Sequence, residues 1–189
     1  MKSGLLRSAA DAAILQAPGQ IALTIQGPHS SSTVIRHLVI RNSAEAVQCV
    51  DTSCRLENLT LVDNRIGVRK IANEYAPTVT RCLFWNNETA DLEGSMHLIY
   101  NWHGSGDDDP LFADPARDDY HLRSQSGRYW PRENVWVLDE VTSPCIDAGN
   151  PWVNPAAEPM PNGGRVNVGA HGNSAYASRS PWPLTGDLD

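Results

Sequence analysis

The stretch LENLTLVDN, residues 56–64, is the middle copy of a pattern that occurs three times in the chain. The other copies are IRHLVIRNS at 35–43 and VTRCLFWNN at 79–87, and successive copies start 21 and 23 residues apart. Apolar residues alternate with polar ones in each copy, which is the period of a β-strand. A pair of Asn, Asp or Ser residues suited to a turn closes each copy. The pattern therefore predicts a strand followed by a turn.

A second, shorter strand is predicted after each turn. AVQCV at 46–50 and GVRKI at 67–71 match at the same 21-residue offset, and IALTIQG at 21–27 and MHLIYNWHG at 96–104 resemble parts of a preceding and a following copy. Repeats of this length made only of short strands bury their apolar faces by stacking coil upon coil. Leucine-rich repeats have a similar period, but their helix-forming segment and Leu spacing are missing. We therefore predict an all-β chain, a short parallel β-helix of about four or five coils.

The alignment of the copies also predicts which residues face inward. Leu61 takes the same position as Ile40 and Phe84 and is expected in the core. Thr60, its neighbour, is expected to face outward, because successive side chains of a strand point to opposite faces.

The amino-acid composition of the chain changes after about Gly104, and ten of the thirteen prolines lie beyond this residue. We expect residues 21–103 to form the coils and residues 104–189 to form an irregular Pro/Gly/Asp-rich cap packed on the solenoid. Residues 1–20 are expected to form a lid or a partial coil, with a capping helix over 3–16. The open end of a β-helix pairs with other chains unless it is covered, so the alternative is a homodimer through the N-terminal end.

Charge and composition exclude several classes of partner. The formal net charge is −7, and Lys2 and Lys70 are the only lysines, which argues against nucleic-acid binding. No stretch is long enough to span a bilayer, and no signal peptide is predicted because Arg7 and Asp11 interrupt the first apolar stretch. Cations, a saccharide or another small polar substrate fit this balance better than nucleic acid or a membrane surface.

The four cysteines, Cys49, Cys54, Cys82 and Cys145, include no CxxC pair, which excludes zinc-ribbon and thioredoxin-like sites. Cys49 and Cys54 are close enough in sequence to close a small disulfide loop. The alternative is that they are small buried hydrophobic residues.

Five motifs in order resemble one family. They are CLFWNNET, HLIYNWHGSG, DPLFADPARDDYHLRSQSGR, VTSPCIDAGNP and PNGGRVNVGAHGNSAYAS. They are similar to the C-terminal region of secreted bacterial right-handed parallel β-helix repeat proteins, which are abundant in planctomycetes and share the fold of pectate lyases. The resemblance implies a right-handed solenoid and an extracellular or cell-surface location, and it implies much less about activity, although the fold is shared with polysaccharide-active enzymes. It also implies that the chain is the end of a longer protein.

The resemblance to polysaccharide lyases directs attention to basic residues, since those enzymes pair calcium with an Arg or Lys base. The candidates are Arg69 and Lys70, with Arg65 beside them. A 23-residue offset would place Glu93 over Lys70, and a simple ion pair between neighbouring strands is the alternative to catalysis.

Two further sets of side chains are weak candidates for a site. His171 lies near Ser174 in the glycine-rich GAHGNSAYAS, where a hydrolase pair or a tight loop would both fit. Trp85 and Trp102 are candidate platforms for stacking a sugar ring, and burial under the cap is the alternative.

The segment HGSGDDDPLFADPARDDYHL, residues 103–122, is strongly acidic. Calcium takes six to eight oxygen ligands, mostly carboxylates and carbonyls, which this segment is able to supply. The alternative is a set of turn-forming Asp side chains that cap local N–H groups. The predicted Ca²⁺ ligands are Asp107, Asp108, Asp109, Asp118 and Asp119.

Three functions are compatible with these features. The first is an extracellular carbohydrate-active or carbohydrate-binding module. The second is a calcium-dependent hydrolase of a small ester, lactone or glycosidic bond. The third is a structural end of a larger β-helix that catalyses no reaction. The sequence leaves open whether the chain is an enzyme.

Overall fold

The computed structural model describes residues 12–27, 32–72 and 74–180. It is an all-β structure whose parallel sheets form a solenoid of about four turns with almost no helix. The predicted fold class is therefore confirmed.

Two parallel ladders form the wall of the solenoid. The second ladder contains four strands in the order β2 (Ile21–Gln26), β4 (Glu45–Val50), β6 (Ile66–Ile71) and β9 (Ala90–Glu93). The first ladder contains β1 (Ala13–Gln16), β3 (Val34–Arg41), β5 (Arg55–Val62), β7 (Thr78–Thr80), β8 (Leu83–Trp85), β10 (His97–Ile99) and β11 (Trp102–Gly104).

The register of the first ladder agrees with the repeat alignment. Leu61 lies opposite Ile40 on one neighbouring strand and opposite Phe84 on the other. All three side chains are fully buried. They belong to the inner core, which fills the inside of the coils with residues such as Val47, Cys49, Cys54, Leu56, Leu59, Val68, Val79 and Cys82.

A residue with left-handed backbone conformation bends the first ladder on each coil, within the long strands β3 and β5 and between the short strands β7 and β8 and β10 and β11. His37, Asn58, Arg81 and Tyr100 have φ of 57°, 48°, 54° and 50°, respectively. The register of β3 with β5 runs up to Arg36 and resumes at Leu38, so the ladder is interrupted at the bend. Each coil therefore has three faces: two from the halves of the first ladder and one from the second.

A further left-handed position forms the turn between the two ladders. Asn42, Asp63 and Asn86 occupy it on successive coils, with φ of 51°, 53° and 52°. Asn and Asp tolerate this conformation better than other residues with side chains, which explains why every copy of the repeat has one of them there.

The residues that follow these positions, Ser43, Asn64 and Asn87, form a polar ladder in which Ser43 and Asn64 are buried and Asn87 is half-buried. The amide oxygen of Asn64 accepts from Ser43 N–H at 3.1 Å, and that of Asn87 accepts from Asn64 N–H at 3.2 Å. The amide nitrogen of Asn64 donates to the carbonyl of Ile40 at 3.0 Å. These bonds satisfy backbone groups that the turn removes from the strands.

The C-terminal region packs alongside the solenoid. Its strands are two antiparallel pairs, β12 (Phe112–Asp114) with β13 (Asp119–Leu122) and β14 (Arg128–Trp130) with β15 (Val135–Val137). Its other described residues are in turns, bends, irregular segments and two short 3-10 helices. It covers the outward side chains of β3, β5 and β8 and forms with them an outer core of Val39, Val62, Leu83, Phe112, Tyr120, Leu122, Cys145, Ile146, Val168 and Ala170.

Hydrogen bonds fix this region to the bend of the long strands. The side-chain amide of Asn58 donates to the carbonyls of Asn167 and Gly169 at 3.3 and 3.2 Å. Ala170 N–H donates to the hydroxyl oxygen of Thr60 at 2.9 Å. Thr60 does face out of the coil, but it is only 1% exposed because the C-terminal region covers it.

The expected helix over residues 3–16 is wrong for residues 13–16. These residues form β1, which pairs in parallel with β3 and places Ala13 opposite Leu38. An unpaired edge of β3 favours a strand there, because pairing satisfies its backbone groups. Residues 3–11 lie outside the described part of the chain, and the dimer through this end stays a prediction. Among the described residues, no helix is long and apolar enough to cross a membrane.

Candidate functional site

The turns at Asn42, Asp63 and Asn86 form a row on the surface, which we call the polar corner. All three residues are exposed. Because the strands before them are paired in register, they lie on successive coils roughly 4.8 Å apart. They line an open cavity of about 760 Å³ together with Pro18, Gly19, Ser43, Ala44, Asn64, Arg65 and Glu88.

Seven of the ten residues that line this cavity are polar, and the charged ones are Asp63, Arg65 and Glu88. Arg65 lies 3.9 Å from the buried carboxylate of Glu45. Arg41, next to the corner, pairs with Asp118 at 2.7 Å. The side-chain amides, the carboxylates of Asp63 and Glu88 and backbone groups remain to meet a ligand. Such a surface suits a hydroxyl-rich molecule better than an apolar one or a polyanion.

A second cavity of about 300 Å³ lies beside the polar corner. We call it the His103 pocket, and its lining residues are Asn87, Asp91, His103, Gly104, Ser105 and Asp108. Asn86 lines the first cavity and Asn87 lines the second, so the two are adjacent. The amide oxygen of Asn86 also accepts from Gly106 N–H at 3.3 Å, which holds the loop after β11 against the corner.

A hydrogen-bonded chain of three side chains lies in the His103 pocket. Nδ1 of His103 is 2.9 Å from Oδ2 of Asp91. The other oxygen of Asp91 accepts from the side-chain amide of Asn87 at 2.8 Å. That amide nitrogen also donates to the carbonyl of Leu61 at 3.0 Å, so the chain is anchored on the wall of the solenoid.

The repeat explains the position of His103. It lies opposite Phe84 in the ladder, so it takes in the last coil the place that Ile40, Leu61 and Phe84 take in the earlier ones. Its ring stacks on that of Phe84, with centroids 4.8 Å apart and an angle of 1° between the planes. An imidazole therefore ends the apolar stack, and its side chain is 39% exposed.

Arg69 and Lys70, the predicted basic candidates, lie on β6. Glu93 is opposite Arg69, so its predicted position over Lys70 is wrong by one residue. The guanidinium of Arg69 bonds Glu93 at 2.7 Å and the buried Glu45 at 2.5 Å. The offset between β6 and β9 is 24 residues, because the turn before β9 is one residue longer than the turn before β6.

His171 lies in the C-terminal region and is buried. Its ring stacks on that of His121 with centroids 3.6 Å apart. The hydroxyl of Ser174 donates to the carbonyl oxygen of His171 at 2.5 Å. The serine hydroxyl is therefore used in a tight loop.

Trp85 and Trp102 are half-buried and pack against the outer core. The ring of Trp85 meets Phe112 edge to face, with centroids 6.1 Å apart. Trp152 is the more exposed indole, with 86% of its surface accessible.

The five predicted calcium ligands lie in different surroundings. Asp107, Asp108 and Asp109 are exposed in the loop after β11, where Asp109 accepts from Leu111 N–H at 2.7 Å. Asp118 pairs with Arg41, and Asp119 is buried against His121 Nδ1 at 2.7 Å and Arg128 at 3.3 Å. Within the described ranges, no group of three or more His, Cys, Asp or Glu residues is placed to hold a metal ion.

The four cysteines are buried free thiols. The sulfur atoms of Cys49 and Cys54 are 3.9 Å apart. Burial raises the pKa of Cys82 to about 12 and that of Cys145 to about 12. These two thiols stay protonated at neutral pH and are poor candidates for a nucleophile.

Sequence reasoning missed Asp91 and His103 as a pair. The available signal was the repeat alignment, in which His103 stands at a core position that is apolar in the three earlier copies. A polar residue at such a position marks either the end of the stack or a site. Asp91 and His103 are 12 positions apart in the sequence, and nothing in the segment between them indicated that the two side chains meet.

One family model matches the chain. Residues 63–149 are similar to the family described as disaggregatase related. The matched segment contains the His103 pocket and the first part of the C-terminal region. No curated protein and no solved structure matches significantly. The match and the parallel solenoid together support the predicted resemblance to a β-helix family, while the planctomycete and pectate-lyase relationships stay predictions.

Proposed function

We propose that the chain is a carbohydrate-binding β-helix module that holds a saccharide chain along the polar corner. The observation that carries this proposal is the row of Asn42, Asp63 and Asn86, which repeats at the spacing of the coils and lines an open cavity of about 760 Å³. A repeating row of hydrogen-bonding side chains matches a ligand that itself repeats its hydroxyl groups.

The rigidity of the corner supports this function. Each exposed side chain follows a strand and precedes a residue of the polar ladder of Ser43, Asn64 and Asn87. The left-handed turns are thereby held in one conformation. Groups that are ordered before binding lose little conformational entropy when a flexible saccharide is bound.

The similarity of residues 63–149 to disaggregatase-related proteins and the resemblance to secreted β-helix proteins also support this proposal. Under it, the chain acts outside the cell or at its surface. A calcium ion held near Asp107, Asp108 and Asp109 would strengthen binding of uronate-containing saccharides, because the cation bridges two sets of carboxylates.

Binding to a panel of neutral and uronate-containing polysaccharides, measured by affinity electrophoresis, tests the proposal. The informative variant replaces Asn42, Asp63 and Asn86 by Gly, because Gly accepts φ near +50° and removes only the side chains. A matched control replaces Arg132 and Glu133, exposed on the turn between β14 and β15, by Ala.

We expect the wild type and the control to be retarded equally and the triple Gly variant to lose the retardation while it still unfolds cooperatively. Its melting temperature should fall slightly, because the hydrogen bond from Gly106 N–H to Asn86 is lost. Equal retardation of all three proteins would contradict binding at the polar corner. Absence of retardation by every polysaccharide would reject the function itself.

A further inference from the structure

We propose that the His103 pocket is a hydrolytic site that removes an O-acyl group from the saccharide bound along the polar corner. The proposal rests on the carbohydrate-binding function and assigns a reaction to the pocket next to it. His103 is the general base, Asp91 and Asn87 position it, and water is the nucleophile.

The orientation of the imidazole supports the role of a base. Asp91 holds Nδ1 at 2.9 Å and so favours the tautomer that carries its proton there. Nε2 is then left with its lone pair to accept a proton. Phe84, stacked beneath the ring, fixes the plane of the imidazole. Positioning by a carboxylate and by packing is what an imidazole base needs.

A purely structural role explains only part of this arrangement. A polar side chain that ends an apolar stack needs contact with water and nothing else. His103 instead meets a carboxylate whose second oxygen is held by Asn87 at 2.8 Å. These groups line a cavity of about 300 Å³, wide enough for an acyl group, which Ser105 and Asp108 also line.

The available groups favour an ester over a glycosidic bond. Glycoside hydrolysis generally uses two carboxyl groups, one on each side of the scissile bond. Asp91 uses both of its oxygens, one for Asn87 and one for His103, so Asp108 is the remaining carboxylate in the lining. A single oriented imidazole suits acyl transfer, in which the base activates the nucleophile and then protonates the leaving group.

In the reaction, the oxygen of a water molecule attacks the acyl carbon while Nε2 of His103 takes one proton from that water. The tetrahedral intermediate then breaks its bond to the sugar oxygen, and the imidazolium returns the proton to that oxygen. The products are a free sugar hydroxyl and a carboxylic acid. We assign the attack to water because no hydrogen bond joins the Ser105 hydroxyl to His103 in the described part of the chain.

The test measures release of acetate from O-acetylated xylan and of nitrophenol from p-nitrophenyl acetate by the full chain. His103→Phe removes the base but keeps an aromatic ring over Phe84, so the fold should be retained. We expect it to lower kcat on the order of 100-fold or more with an unchanged melting temperature. The matched control, His97→Gln, changes an exposed His on β10 outside the pocket and should behave as the wild type.

Asp91→Asn tests positioning. It should lower kcat with KM and the melting temperature unchanged, because an amide is able to hold the tautomer of His103 that lacks the proton on Nδ1. Asp91→Glu restores a carboxylate and should restore part of the rate. Because water is the nucleophile, the wild type should accumulate no acyl-enzyme with p-nitrophenyl acetate. Loss of activity in Ser105→Ala together with a trapped acyl-enzyme would overturn the assignment to water.

Two further outcomes separate this proposal from the function on which it rests. A wild type that binds polysaccharide but releases no acetate or nitrophenol overturns the hydrolytic site and leaves the binding function intact. Hydrolysis of p-nitrophenyl acetate that depends on His103, without binding to any polysaccharide, supports the site and rejects the carbohydrate-binding function.

Discussion

The hydroxyl oxygen of Thr60 accepts a hydrogen bond from the backbone N–H of Ala170 at 2.9 Å, although the two residues are 110 positions apart in the sequence. The bond lies between the bent strand β5 and the C-terminal region, and both residues are buried. It shows that this region covers the outer face of the solenoid and does not only close its end. The outward residues of β3, β5 and β8 are therefore part of a second core.

Thr60→Val should lower the free energy of unfolding by about 1–3 kcal/mol, because it leaves the buried N–H of Ala170 without an acceptor while keeping the shape of the side chain. Equilibrium denaturation in urea measures the change. Thr60→Ser keeps the hydroxyl and should cost less. A Thr60→Val protein as stable as the wild type would mean that the C-terminal region does not pack on β5.

Leu61→Ala should lower the free energy of unfolding by about 2–5 kcal/mol, since it opens a cavity between Ile40 and Phe84. The control is Leu138→Ala, because Leu138 is 74% exposed and its truncation should cost little. Urea denaturation of the two variants gives the comparison, and equal losses would place Leu61 outside the core.

Glu158 should make the protein less stable as the pH rises through weakly acidic values. The carboxyl is buried, and burial raises its pKa from 4.5 to about 7 despite the N–H groups of Asn173 and Asn167, which donate to Oε1 at 2.6 and 2.8 Å. The folded state therefore keeps its proton at pH values where the unfolded state has lost it. The contribution of Glu158 to the free energy of unfolding is therefore fully present below pH 4.5 and is lost as the pH rises to about 7.

The loss between these limits is on the order of 3 kcal/mol by linkage. Denaturation at pH 5 and pH 8 of the wild type and of Glu158→Gln measures it. The variant should show a smaller difference between the two pH values, because an amide does not titrate. The same difference in both proteins would show that Glu158 is not the group responsible.

Calcium should raise the melting temperature if the exposed loop of Asp107, Asp108 and Asp109 binds it. A ligand that binds only the folded state stabilises it by roughly 2.7 kcal/mol at a hundredfold excess over its dissociation constant. Replacing the three by Asn should abolish the shift. Glu133→Gln, which removes an exposed carboxylate on the turn between β14 and β15, is the control and should keep the shift. An unchanged melting curve after EDTA treatment of a calcium-loaded sample would reject the site.

The sequence by itself determined the coils. The alternation that predicts strands and the Asn and Asp residues that accept left-handed turns both act through local sterics, so the repeat gave the register of Ile40, Leu61 and Phe84 correctly. These features reappear in every copy, which is why alignment of the chain with itself was sufficient to find them.

Only the tertiary structure decided which residues of different coils and of the C-terminal region contact one another. One additional residue in the turn before β9 placed Glu93 opposite Arg69, and no local preference fixed that length. The C-terminal region has little regular structure, so its place over Thr60 depends on the apolar surface that it buries. Asp91 and His103 meet because stacking brings consecutive coils roughly 4.8 Å apart. Packing between coils therefore created the His103 pocket, which the local pattern did not reveal.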